Sequence, residues 1–222
     1  MSSTSGKINI SAVIPFYNEE KTINEIINRT LNYVDIVICV DDGSTDNSIN
    51  KIFNDDRIII IKNDVNRGKG FSLRKGFEKS IELKTDYTIT LDADLQHPPE
   101  LIPEFISALK NFDCVIGNRL SNLKDMPVQR ILSNKITSGL LSYKTKQKIL
   151  DSQCGFRGFR TEILKSIFPA YTGYEAESEM IVKAARNNLK IGFVNIPTIY
   201  GNEKSKMRPL QAIKGFIKVF FM

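Results

Sequence analysis

The chain has 222 residues and a mass of 25.1 kDa, with 41% hydrophobic and 25% charged residues, 13 glycines and 8 prolines. This composition excludes collagen, low-complexity and disulfide-stapled classes and suits one sizeable α/β domain. Lys and Arg outnumber Asp and Glu by 31 to 25, a net charge of +6 at pH 7, so an anionic partner is expected: a phosphorylated small molecule, a membrane surface or nucleic acid.

INISAVI (8–14) reads as a strand, and Ile23, Ile26, Ile27 and Leu31 follow at helical spacing. DIVICV (35–40) is a second strand, followed by a Ser/Thr/Asp cluster and a short helix bearing Ile49, Ile52 and Phe53. RIIIIK (57–62) is a third strand, and Gly70–Leu83 a helix with Phe71, Phe77 and Ile81 on one face. YTITLD (87–92) and DCVIGN (113–118) are the fourth and fifth strands, with a helix between them after Pro98-Pro99. Beyond Arg119 the pattern is less regular. A basic helical segment (127–148) leads to DSQCGFRGFR, a helix rich in Glu and Ala (175–188), a strand in KIGFVNIP and a basic tail. Alternating strands and helices predict an α/β fold with a mainly parallel sheet flanked by helices. No repeat or Gly/Ser linker divides the chain, so 1–222 reads as a single domain with halves at about 8–118 and 119–206 and a tail at 207–222. Cys39, Cys114 and Cys154 are an odd set without a CxxC pair, the first residues lack an apolar leader, and no apolar run spans a bilayer. A cytosolic, reduced chain is expected.

Ligands of such sheets gather at the carboxyl ends of the strands, and three of these ends are polar: PFYNEE (15–20), DDGSTD (41–46) and DADLQHPPE (92–100). The first loop contains no glycine, which excludes the dinucleotide-binding turn. NRGKGFS (66–72) lacks the spacing of a P-loop. Asp92 and Asp94 alternate at a strand end, so their carboxylates can project to one side and would repel each other without a cation. Hard oxygen donors in small number suit Mg²⁺ or Mn²⁺, with water and substrate phosphate completing the shell. The plainer alternative for such a tripeptide is a capped loop.

The ordered set PFYNEE, DDGSTDNS, NRGKG, DADLQHPPE, GNR and DSQCGFRGFR, from about Ile10 to Lys206, resembles the family-2 inverting glycosyltransferases of GT-A type. Within them it is similar to the dolichyl- or polyprenyl-phosphate mannosyl- and glucosyltransferases. The resemblance implies a single Rossmann-like domain, a nucleotide-sugar donor of GDP-mannose or UDP-glucose type and Mg²⁺ or Mn²⁺. It places Pro15, Tyr17, Glu19, Asp42, Lys69 and Asp92 around the donor, with Asp42 accepting a hydrogen bond from the base. Asp92, Asp94 and Gln96 become the metal candidates, Asp94 the direct ligand. His97 beside Pro98-Pro99 reads as a turn residue, and Glu177 and Glu179 as acidic residues favouring a helix start.

A sugar leaving a nucleoside diphosphate builds negative charge on the departing phosphate, which a metal stabilises. An attacking hydroxyl needs a general base, whereas a lipid phosphate is already ionised and needs positioning and charge neutralisation. Arg119, Arg130 and Arg157 lie in GNR, QRxxSN and GFR, where the resemblance implies an acceptor-phosphate site with Ser133 as a companion. Asp151 stands where hydroxyl-using relatives place a base, and it serves either as that base or as the orienter of an arginine or the acceptor. In the tail, Leu210, Ile213, Ile217 and Phe220 share one helical side and Gln211, Lys214 and Lys218 the other, while Lys204, Lys206 and Arg208 add charge. That pattern predicts a basic helix lying on a membrane surface, or a helix packed on the core with solvated lysines.

The expectation is therefore a metal-dependent transferase moving mannose or glucose from a nucleotide sugar to a polyprenyl phosphate, peripheral on the cytoplasmic face of a membrane. The first alternative is a glycosyltransferase using a hydroxyl acceptor, with Asp151 as base. A nucleic-acid-binding module is the remote one and is disfavoured, because the tail's aromatics follow its apolar side.

Overall fold

The computed structural model describes residues 8–123, 126–199 and 209–222, the side chains of 209–212 excepted. Its strands are β1 (Ile10–Phe16), β2 (Ile36–Asp41), β3 (Ile58–Lys62), β4 (Tyr87–Thr90), β5 (Cys114–Asn118), β6 (Arg157–Arg160) and β7 (Ile191–Asn195). They form one sheet in the order β3-β2-β1-β4-β6-β5-β7. The helices are α1 (Ile23–Thr30), α2 (Ser48–Lys51), α3 (Lys69–Glu82), α4 (Ile102–Ala108), α5 (Val128–Thr145), α6 (Leu164–Ile167), α7 (Glu175–Arg186) and α8 (Pro209–Phe221).

The parallel part follows from the apolar runs. Ala12, Val13 and Ile14 of β1 and Val37, Ile38 and Cys39 of β2 are fully buried, as strands covered on both faces must be. Ile23, Ile26 and Ile27 give α1 the face that reaches this core. Helix α3 comes close to β1 because Gly76 meets Val13, where a Cβ would collide with the valine methyls. Parallel pairing of β1 with β2 and β4 aligns the carboxyl ends of all three strands at one edge.

The sheet contains one element that periodicity did not show. The segment RGFR forms β6, antiparallel to both β4 and β5, so the fourth and fifth strands are not neighbours. Four residues with a central glycine carry too little alternation to signal a strand. Gly158 is there for space, since a Cβ would press on Ile89 and Leu109 at 3.1 Å.

Helix α5 is built inside out. Its buried residues are Asn134, Ser138 and Leu141, and Ser138 and Thr137 bond the hydroxyl of Ser152 beneath them. Outward, at every fourth position, stand Val128, Leu132, Ile136 and Leu140. Helix α8 packs on α5 and α7 through Gly215 and Val219, and Lys144 of α5 donates to the carbonyl of Phe220. Ile213, Ile217 and Phe221 remain exposed, whereas Phe220, expected beside the isoleucines, is half-buried against the protein. The tail helix thus has an apolar side toward the core and a second one toward solvent. Lys204, Lys206 and Arg208, and the side chains of Leu210 and Gln211, lie outside the described residues. No helix among the described residues is long and apolar enough to cross a membrane.

Candidate active site

The loops after β1 and β2 hold each other. Asn18, at φ 54°, receives the Thr45 amide on its Oδ1 at 2.8 Å and donates its own amide to the Ser44 hydroxyl at 3.0 Å. The Glu19 amide donates to Ser48 Oγ at 2.7 Å. Ser44 Oγ and Asp46 Oδ2 thus join the two loops, while Asp46 Oδ1 accepts the Ser48 amide at the start of α2 at 3.0 Å. Pro15 is buried at the end of β1, and Tyr17 and Glu19 are half-buried just beyond it.

Asp42 departs from its expected role. It is buried, and its carboxylate accepts from Asn63 Nδ2 at 2.9 Å and from the amides of Arg67 and Gly68 at 3.0 and 2.8 Å. Its oxygens shape the loop that presents Lys69, so a direct hydrogen bond to a base is not the role this geometry supports. Gly68 is required in that loop: it has φ 97°, and a Cβ would strike the Thr172 carbonyl.

Lys69 opens α3 and brings the site together. Its ammonium lies 2.5 Å from Asp92 Oδ1 and 2.9 Å from Glu177 Oε1. Burial alone would lower the lysine's pKa, but the two carboxylates raise it above the ordinary value. At Asp92 burial pushes the pKa up, and the charge and hydrogen bond of Lys69, with weaker contributions from His97 and Arg119, bring it down to about 2. Tyr174 adjoins the group: burial raises its phenol, with Asp92, Glu177 and Glu19 adding and Lys69 opposing. Gly155 of the GFR motif lets the backbone pass, since a Cβ there would stand 2.6 Å from Asp92 Oδ2 and 2.8 Å from Lys69 Nζ.

The DADLQ loop turns sharply. Leu95 has φ 63°, a left-handed conformation costly for a branched side chain and common where loops serve a site. The Gln96 amide donates to Asp94 Oδ1 at 3.1 Å, and the side chains of both residues are half-buried. His97 is a turn residue, as expected: its Nδ1 accepts the Asp92 amide at 3.1 Å, and burial lowers its pKa to about 4, which keeps it neutral. Among the described residues no three His, Cys, Asp or Glu side chains form a metal cage. The hard oxygens of Asp92 and Asp94 still fit Mg²⁺ or Mn²⁺, which characteristically takes one or two carboxylates and completes its shell with water and phosphate.

On the acceptor side Asp151 is fully buried and accepts five hydrogen bonds: from the Arg119 amide, Nε and Nη2, from Asn134 Nδ2 and from the Gln153 amide. Burial raises its pKa, but the guanidinium of Arg119 and the hydrogen bonds overcome that and hold it below the ordinary carboxylate range. Such a carboxylate is poorly suited to be a base, and its geometry is that of an arginine orienter. The Arg119 side chain is 16% exposed, while Arg130 is half-buried on α5. Ser133 accepts a bond from Gln153 Nε2 at 3.3 Å. Arg157 does not join them. It is buried, and its guanidinium donates to the carbonyls of Cys154, Glu177 and Ser152 at 2.7–3.0 Å, so it binds protein backbone instead of an acceptor phosphate.

Two features lay beyond sequence reasoning. Glu177 and Glu179 had both looked like helix-start acids, but Glu179 instead accepts the amides of Ala170 and Tyr171 in the loop that leads into α7. Only the fold shows that Glu177 faces Lys69, 108 positions earlier in the chain. The apolar exterior of α5 was present as a four-residue repeat, but nothing in the pattern tells which side of a helix faces out.

The glycosyl transferase family 2 model matches residues 11–168. The chain is 34% identical over 237 residues to a UDP-N-acetylglucosamine–dolichyl-phosphate N-acetylglucosaminyltransferase of Methanococcus voltae, covering 96% of this chain and 93% of that one. It is 29% identical over 207 residues to a dolichol-phosphate mannosyltransferase of Pyrococcus furiosus, covering 86% of this chain and 56% of the relative. Among solved structures it superposes on glucosyl-3-phosphoglycerate synthase of Mycobacterium tuberculosis, in complex with Mn²⁺, UDP-glucose and phosphoglyceric acid, with a TM-score of 0.72 at 20% identity, over 97% of this chain and 81% of that one. That likeness speaks for the GT-A fold. With most of its length matched by the family model and a relative above 30% identity along nearly the whole chain, this protein belongs to glycosyl transferase family 2.

Proposed function

We propose that the protein transfers a sugar from a nucleotide-sugar donor to a polyprenyl phosphate at a membrane surface. The observation that carries this reading is the state of Asp151. Its carboxylate is fully buried and saturated with hydrogen bonds, and it presents the Arg119 guanidinium in a fixed pose. An acceptor hydroxyl would need a base there, whereas a phosphate needs the cation that Asp151 holds in place. The Methanococcus and Pyrococcus relatives, whose names specify dolichyl phosphate, support the same acceptor class. In this reading Arg119 and Arg130, with Ser133 of α5 beside the Gln153 side chain, receive the acceptor phosphate.

Pro15, Tyr17 and Glu19 line the donor pocket, with Lys69 facing the diphosphate. Asp92 and Asp94, with Gln96 beside them, are the residues that would hold Mg²⁺ or Mn²⁺. A cation there would stabilise the charge gathering on the departing diphosphate. The sugar is mannose, glucose or, as the Methanococcus relative's name suggests, N-acetylglucosamine.

The membrane reading gains from α5. Residues 126–150 carry Arg130, Lys135, Lys144, Lys146 and Lys148, residues 209–222 carry Lys214 and Lys218, and neither stretch holds an acidic residue. The exposed apolar rows of both helices therefore belong to stretches whose own charges are all basic, although Glu175 of α7 stands against Gly215 of α8. That setting favours anionic headgroups and would repel a second copy of the same surface. An acceptor site on α5 then faces the cytoplasmic leaflet, from which a lipid phosphate projects.

Incubation with labelled UDP- and GDP-sugars, Mn²⁺ and a polyprenyl phosphate should give labelled lipid. Absence of transfer from every donor overturns the proposal. Asp94→Asn should lower the rate by about a hundredfold or more while leaving the fold intact.

A further inference from the structure

Lys69 is shared between two carboxylates that come from different parts of the fold. Asp92 lies two residues beyond the central strand β4, whereas Glu177 lies in the first turn of α7, with its side chain 9% exposed. The pairing is built from both sides. The Gly70 amide donates to the Thr172 carbonyl at 2.7 Å, fixing the start of α3 against the segment that leads into α7. Arg157 donates to the Glu177 carbonyl at 2.7 Å, fixing the backbone of the acid itself. Gly155 leaves the space that the ammonium and Asp92 fill.

One ammonium between two carboxylates leaves a negative charge unbalanced, and Asp92 is also a donor that a divalent cation needs. The ammonium and the cation compete for the same oxygens. An ammonium bound only to Asp92 would oppose metal entry. Bound also to Glu177, it has a second anchor and can give up Asp92 without leaving the pocket.

We propose that Glu177 is a positioning residue that retains the Lys69 ammonium when metal takes Asp92, leaving it beside the cation to face the donor diphosphate. The inference rests on the metal-dependent donor reading given above and adds a residue outside the DADLQ loop to it. No bond is made or broken. One ion pair, Lys69–Asp92, is exchanged for a metal–carboxylate contact, while the other, Lys69–Glu177, persists.

Mn²⁺ binding to the protein without donor, followed by the electron paramagnetic resonance of free Mn²⁺, separates the parts. Lys69→Met should tighten Mn²⁺ binding, because Asp92 loses its competitor. Glu177→Gln should weaken it, because the ammonium then rests on Asp92 alone. Each change is expected at roughly threefold to tenfold, the scale of one partly solvated ion pair. The double variant should bind Mn²⁺ as Lys69→Met does, since without the ammonium Glu177 has nothing to hold. With Mn²⁺ saturating, UDP or GDP should bind more weakly to both single variants. If Glu177 only supports the start of α7, Glu177→Gln lowers the melting temperature equally with and without Lys69 and leaves Mn²⁺ affinity unchanged, which overturns the proposal. Glu177→Asp keeps the charge and should retain part of the metal affinity even if it folds less stably. A wild-type protein that takes up no Mn²⁺ removes the metal reading and this inference together, whereas unchanged uptake in Glu177→Gln removes the inference alone.

Discussion

The donor side and the acceptor side of this protein hold their polar groups by different means. On the donor side, buried strands β1, β2 and β4 end together, and the polar loops at their ends are tied to one another above an apolar core. On the acceptor side the polar groups are the packing. Asp151, Ser152, Asn134 and Ser138 are all buried, and they bind α5 to the loop before β6 where apolar contacts would ordinarily do so. Stability and chemistry are thus separable at the donor loops and joined at Asp151.

The change expected to have the largest effect tests that joining. Asp151→Ala leaves Arg119 without its partner in a buried setting, a loss of about 3–5 kcal/mol of folding stability. Urea unfolding should show it, and a loss below about 1 kcal/mol would break the contrast between the two sides. The donor side has its own pH signature. His97 is the only histidine in the chain and titrates at about 4 when folded, against an ordinary 6.5. The unfolded chain therefore takes up the proton first as pH falls. The neutral imidazole's contribution is complete above pH 6.5 and is lost as pH drops toward 4, at no more than about 1.4 kcal/mol per pH unit. Unfolding at pH 7.5 and pH 5 in the presence of EDTA measures it, and His97→Gln should flatten the difference.

Gly155→Ala acts where the two sides meet. Its methyl group would part Lys69 from Asp92, and a fall in kcat/KM of roughly tenfold to a hundredfold is expected with little change in melting temperature. A stability loss as large as that of Asp151→Ala would show that the donor side is no more separable than the acceptor side. The smallest effect on folding is expected from Leu132→Glu with Ile136→Glu on the exposed row of α5, within about 0.5 kcal/mol. The same pair should abolish sedimentation with vesicles rich in anionic lipid. Transfer to a short-chain, water-soluble polyprenyl phosphate should survive.

The contrast also explains what the sequence could tell. The donor side was legible because apolar runs such as SAVI and IVICV specify buried parallel strands, and the polar ends of those strands then fall at one edge. DADLQHPPE and NRGKG also carried their neighbours with them, although the part Asp42 plays was not visible until Asn63 and the 67–68 amides were seen to fill it. The acceptor side was harder for physical reasons. Arg157 looked like a phosphate ligand because its motif says nothing about burial, and the three carbonyls it binds come from residues 152, 154 and 177. Helix α5 has a correct helical period, yet its inner surface is the polar one, the reverse of the usual assignment.

Strand β6 has a consequence for the order in which the molecule is assembled. β1 to β4 need only neighbouring βαβ units and the first 90 residues, all of which a ribosome delivers early. β4 then waits for Arg157–Arg160, and β5, already made, cannot reach it except through β6. Until that four-residue strand arrives, β4 carries an unpaired edge of the kind that recruits other chains. Strand β6 thus closes an open seam late in synthesis, and Gly155, two residues before it, packs against Asp92 and Lys69 as it does so. One short strand both seals the sheet and sets the backbone that covers Asp92, while Glu177 and β7 follow later in the chain.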